Sequence, residues 1–132
     1  MATLNLIMKD ETFAGKILNE ISVAISAERL TVRELIAVRI HAEVKTYNQK
    51  LQEFFTGLVQ PNDTEVTLNG YRMKKRALID PEKQVYIALE SFQQNGFFIL
   101  IDNKQAESLD EEVLLGPQTS LSFIKLTPLV GG

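Results

Sequence analysis

Cysteine is absent from the 132 residues. That excludes disulfides, thiolate nucleophiles and thiolate metal sites together. Histidine is limited to His41, so a metal site would have to be built from carboxylates alone. No apolar run approaches the length of a bilayer span. The opening "MATLNLIMKDE" lacks a basic segment followed by an apolar one. Net charge is −3, so no global field favours nucleic acid or an anionic membrane. A glycine-rich phosphate loop and a dinucleotide fingerprint are both missing. The length and a 45% apolar composition suit one globular domain with an ordinary core. The expectation is a cytoplasmic domain without nucleic-acid or membrane partners, and with no metal, bound cofactor or catalytic residue of its own.

What is present reads as alternating strands and two helices. In "TLNLIMK" (3–9), Leu4, Leu6 and Met8 point one way. In "KILNEISVAIS" (16–26), Ile17, Ile21, Val23 and Ile25 share a face. "DETFAG" supplies the turn between them, with Gly15 free to take a positive φ. A helix follows, opened by a Thr31–Glu34 capping box. Its apolar stripe is Val32, Ile36, Ile40, Val44, Tyr47, Leu51 and Phe54, so the helix is expected to run to about Phe55. "VTLNGYRM" reads as a short Asn-Gly hairpin.

A second helix starts at Asp80-Pro81, carries the stripe Val85, Ala88, Leu89 and Phe92, and ends at Asn95-Gly96. Such a short helix must bury its stripe to be stable. The far half of the first helix, at Tyr47 to Phe55, is the expected partner. "FFILI" (97–101) reads as a strand buried on both faces, turned by Asp102-Asn103 into a short edge strand in "KQAES". "LDEEVLLGPQ" reads as loop or short-turn helix, and "TSLSFIKL" (119–126) as the last strand.

The closing stretch "LTPLVGG" (126–132) is apolar, proline-bearing and glycine-ended. Residues 97–132, "FFILIDNKQAESLDEEVLLGPQTSLSFIKLTPLVGG", resemble the terminal half of a prokaryotic sulfur-carrier or ubiquitin-like protein. The whole chain is similar to ubiquitin-like proteins of bacterial operons that also encode an activating enzyme, a conjugating enzyme and a JAB-type protease. The resemblance covers about residues 2–55 and 97–132. It implies an α+β, ubiquitin-like β-grasp domain with a mixed four- to five-stranded sheet around one long helix. Residues 1–132 would form a single domain, in which 56–96 is an insertion containing the second helix and foreign to a minimal β-grasp.

The resemblance further implies a protein modifier. The carboxylate of Gly132 would be adenylated by the activating enzyme, which uses ATP and Mg, and then transferred to a nucleophile on a target. Gly131 and Gly132 lack a Cβ and admit close approach of another backbone. Pro128 biases the chain toward an extended form, and Leu129 and Val130 offer apolar anchors for tail recognition. Two alternatives stand beside this: a sulfur carrier ending in a thiocarboxylate, and a non-covalent β-grasp scaffold. Some forty extra residues tilt the balance toward the modifier, since a minimal sulfur carrier has no need of them.

Ile7, Ile124 and Leu126 are the candidate partner surface on the strands next to the tail. Cover by the insertion is the favoured alternative for these side chains, and stacking on a second copy, a homo-oligomer, is a third. His41 lies off the apolar stripe and reads as a surface residue. "DEE" (110–112) reads as solvated carboxylates, "YRMKKR" (71–76) as a solvated basic face, and "NDT" (62–64) as a sequon without consequence in a cytoplasmic protein.

Overall fold

A computed structural model describes residues 3–50, 54–62, 64–67, 69–73 and 78–126. The chain opens with an antiparallel hairpin of β1 (Leu4–Glu11) and β2 (Ile17–Ile25), turned through Gly15 at φ 88°. β3 (Arg29–Thr31) leads into α1 (Val32–Lys50). The capping box is formed: Glu34 N donates to Thr31 Oγ1 at 3.1 Å, and Thr31 N donates back to Glu34 Oε1 at 2.9 Å. After the insertion come β7 (Phe97–Ile101), β8 (Lys104–Gln105), β9 (Glu112–Leu114) and β10 (Leu121–Lys125).

The main sheet has five strands in the order β2-β1-β10-β7-β8. β10 enters last yet takes the centre, parallel to β1 and antiparallel to β7. α1 lies across one face. Its Val32, Leu35, Ile36, Ile40 and Val44 bury against Leu6, Met8, Val23, Ile25, Ile99, Leu121 and Phe123 from the sheet. The architecture is α+β, a mixed sheet with two helices. None of the helices is long and apolar enough to cross a membrane among the described residues.

Several expectations need correction. α1 stops at Lys50, and Phe54–Phe55 form a strand, β4, that the helical stripe did not foresee. Phe55 is buried there, stacked on Tyr71 and edge-on to Tyr47. Leu51 lies outside the described residues. Ile17 does not share the buried face. The β1–β2 register steps from Asp10–Asn19 to Glu11–Ile17, so Leu18 forms a bulge that turns Ile17 to the outer face. Asp10 belongs to β1, not to the turn, and it is buried. β7 is covered on one face only, since Phe98 and Leu100 are half-exposed on the other. The segment read as a loop contains β9, paired with β3.

The segment expected as an insertion, together with Phe54–Phe55 before it, builds a second, smaller sheet and a second helix. β4, β5 (Thr64–Thr67) and β6 (Gly70–Met73) form a three-stranded sheet in the order β4-β6-β5. The hairpin is real, but Gly70 is its first strand residue, at φ 120°, not a member of the turn. α2 (Pro81–Gln93) is capped by Asp80, whose Oδ1 accepts from Glu82 N at 3.0 Å, and Asn95 takes the left-handed exit at φ 62°. α2 packs on α1, as its stripe requires, with Ala88 and Phe92 buried. Asn48 of α1 exchanges two hydrogen bonds with the backbone of Ile79, and buried Gln84 donates to Val59 O at 2.9 Å. Those contacts make the insertion part of the core.

Candidate functional site at the end of the central strand

β10 delivers the chain to the expected tail. Its parallel register with β1 ends at Glu11–Ile124, so Lys125 and Leu126 emerge beside the β1–β2 turn. Leu126, 42% exposed, is the last described residue. Pro128, Leu129, Val130, Gly131 and Gly132 lie outside the described residues.

On the outer sheet face the emergence point is apolar. Ile124 is flanked across its rungs by Phe98 and, beyond Glu11, by Ile17. Phe13, 70% exposed in the turn, reaches over to Phe98 with ring centroids 5.8 Å apart. Ile124 and Leu126 therefore belong to one patch. Ile7 lies on the same face and is 52% exposed. Its rung is four residues from that of Ile124, about 13 Å at the usual rise per residue. The expected cover by the insertion is not found: α2 and the small sheet pack on the α1 side, where the apolar far half of the helix and Phe97 receive them. Phe13, Ile17 and Phe98 are the patch members that sequence reasoning missed. The bulge that reorients Ile17 has no local signature, but the lone phenylalanine in a polar turn was a signal.

On the inner side the same strand end is tied down. Lys125 Nζ donates to Gly57 O at 2.8 Å and lies 5.5 Å from the Tyr71 ring centroid. Burial pulls the Lys125 ammonium below its ordinary range, with Arg39 adding to the fall and Asp10 and Glu43 opposing it.

Deeper in, Arg39 is fully buried and serves two carboxylates. Its Nη1 and Nη2 donate to the two oxygens of Asp10 at 2.8 and 2.7 Å, and its Nε donates to Glu43 Oε2 at 2.5 Å. The guanidinium also stands 4.9 Å from the Phe123 ring centroid. Burial alone would lower the Arg39 value, but Glu43 and Asp10 more than offset it, and the net direction is up. Glu43 is pushed up by burial, against the pull of Arg39 and the amide of Leu58. Leu58 N donates to both Glu43 oxygens at 3.0 and 3.2 Å. The cluster thus joins β1, α1 and the insertion. Its members are closed on one another, with at most 4% of any residue exposed, so the arrangement braces the fold, and Glu43 also borders a cavity of about 330 Å³ with Asn19, Tyr47 and Phe55.

The other candidates are surface features. His41 is exposed. Asp110 faces Arg33 at 3.6 Å, Glu112 faces Arg29 at 3.5 Å, and Glu111 accepts from the Glu107 amide. Of "YRMKKR", Tyr71 is half-buried, Arg72 is exposed, and residues 74–76 lie outside the described residues. No group of acidic or histidine side chains able to hold a metal occurs among the described residues. Comparisons with protein-family models, curated proteins and solved structures return no match.

Proposed function

We propose that the chain is a ubiquitin-like β-grasp protein acting as a protein modifier, a substrate of acyl transfer and not a catalyst. The observation that carries this reading is the placement of β10. The final strand runs through the centre of the sheet, parallel to β1, and releases Leu126 beside an exposed apolar patch. The residues that follow, "TPLVGG", are slim at their end and contain a proline that favours extension.

The chemistry follows from the poor leaving ability of a carboxylate oxygen. The Gly132 carboxylate attacks the α-phosphorus of ATP and expels pyrophosphate, giving an acyl adenylate on the partner enzyme. A partner thiolate then takes the acyl group and releases AMP. An amine or hydroxyl on the target displaces that thiol. ATP, Mg and the thiolate belong to the activating and conjugating enzymes, and a JAB-type protease would reverse the linkage. The apolar patch of Phe13, Phe98, Ile124 and Leu126 gives such partners a surface beside the tail.

Intact-mass analysis of the protein purified with its genomic partners tests the reading. Covalent adducts, bearing the Gly132 acyl group on a lysine or hydroxyl and lost when Gly132 is removed, support it. A gain equal to one oxygen-to-sulfur exchange makes the protein a sulfur carrier instead. Unmodified protein throughout would favour a non-covalent scaffold.

A further inference from the structure

The insertion and the tail-bearing strand meet at Lys125. Lys125 forms the last β10 rung with Phe97, and its ammonium is received by Gly57 O and the face of Tyr71. Both receivers are themselves fixed. Gly57 precedes Leu58, whose amide is held by Glu43 of α1. A Cβ at Gly57 would stand 2.2 Å from the Phe55 ring and 2.8 Å from Glu43 Oε1, so the loop lies as close to α1 as a glycine allows. Tyr71 stacks on Phe55 at 6.5 Å, and Phe55 in turn meets Tyr47 of α1 at 5.7 Å. Two separate chains of contact therefore run from α1 through the insertion to Lys125.

We propose that the insertion is a clamp on the end of the central strand. Gly57 and Tyr71 hold Lys125 so that its rung stays closed and the chain beyond Leu126 leaves the sheet from a fixed point. Lys125 is then a positioning residue. The consequence for acyl transfer rests on the modifier reading: a fixed origin reduces the ordering that a partner must impose when it threads the following residues. This gives the extra forty residues a task at the tail, on the opposite side of the sheet from the apolar patch.

Amide hydrogen exchange read by NMR tests the clamp directly. Lys125→Met keeps the aliphatic stem but removes the donor and the cation. It should speed exchange at Ile124 and Lys125 about tenfold, the worth of one hydrogen bond to a charged group, and leave the β1–β2 rungs unchanged. Lys125→Arg should recover most of the protection, because it restores a donor and a cation over the ring. Tyr71→Leu, within the insertion, should give a smaller rise at the same amides and serves if Lys125→Met fails to fold. Acceleration of less than about twofold, acceleration spread evenly over the sheet, or Arg no better than Met would overturn the clamp.

With the activating enzyme, Lys125→Met should raise KM for this protein with kcat little changed, by a factor set by the population of the opened rung and at most about tenfold. An unchanged KM overturns the link to acyl transfer while the exchange data still judge the clamp. Absence of activation for the wild-type protein overturns the modifier reading alone.

Discussion

Replacing Arg39 with methionine isolates the buried ionic cluster, because methionine fills much of the stem volume and removes only the guanidinium. Asp10 and Glu43, 2% and 4% exposed, would lose their shared countercharge. Removing one partner of a buried ion pair costs about 3–5 kcal/mol, since the other charge is left uncompensated. Arg39 serves two carboxylates, so the upper part of that range is expected. Against a typical stability of about 5–15 kcal/mol this leaves a marginal domain. With a urea slope of about 2 kcal/mol per molar, the midpoint should fall by roughly 2 M.

The loss should also depend on pH, and the sign follows from Glu43. Its folded value is raised above the ordinary 4.5 by burial, so the folded state holds the proton more tightly than the unfolded chain does. That contribution is fully present below 4.5 and is lost as pH rises through the folded value. Without Arg39 the value climbs further, because a downward pull is gone. The gap between wild type and Arg39→Met should therefore narrow on going from about pH 7 to about pH 5. Urea unfolding at several pH values measures it. A loss under about 1 kcal/mol, the size of an average substitution, or a gap that is flat with pH, would refute the bracing role.

Other perturbations probe other joints. Phe92→Ala should cost about 3–5 kcal/mol, and the loss should not vary with protein concentration, because Phe97 and α1 supply its partners within one chain; equilibrium unfolding at two concentrations decides it. Gly57→Ala should destabilise by about 1–3 kcal/mol through overpacking against Phe55 and Glu43, read from the same denaturation curves. Thr31→Ala should cost about 0.5–2 kcal/mol as the cap of α1. Since Thr31 hydrogen bonds hold the Glu34 carboxyl below its ordinary value, that variant should also move the Glu34 titration upward by NMR.

The elements that announced themselves did so through short-range chemistry. Thr31-x-x-Glu34, Asp80-Pro81 and the alternation of 119–126 each fix local backbone, and each was legible. The strand at Phe54–Phe55 was hidden because its apolar residues continue the helical period of α1. The β3–β9 pairing was hidden because its two short strands are more than eighty residues apart. The ionic cluster was hidden for a third reason: Arg39 and Glu43 interrupt the apolar side of α1, and only their meeting with Asp10 from β1 makes their burial tolerable. At the candidate site, Ile124 and Leu126 were legible from strand alternation. Phe98 and Ile17 were not, since half-coverage of β7 and a one-residue bulge are tertiary outcomes.

Pyrophosphate exchange with the cognate activating enzyme, comparing wild type with a variant lacking Gly132, is the decisive measurement. The wild type should support ATP-dependent exchange. The deletion, and equally one residue added after Gly132, should abolish it while circular dichroism shows an unchanged fold, because the proposed acyl-donor role puts the reacting carboxylate on that glycine. Exchange undiminished by deletion would contradict the assignment of this chain as an acyl donor.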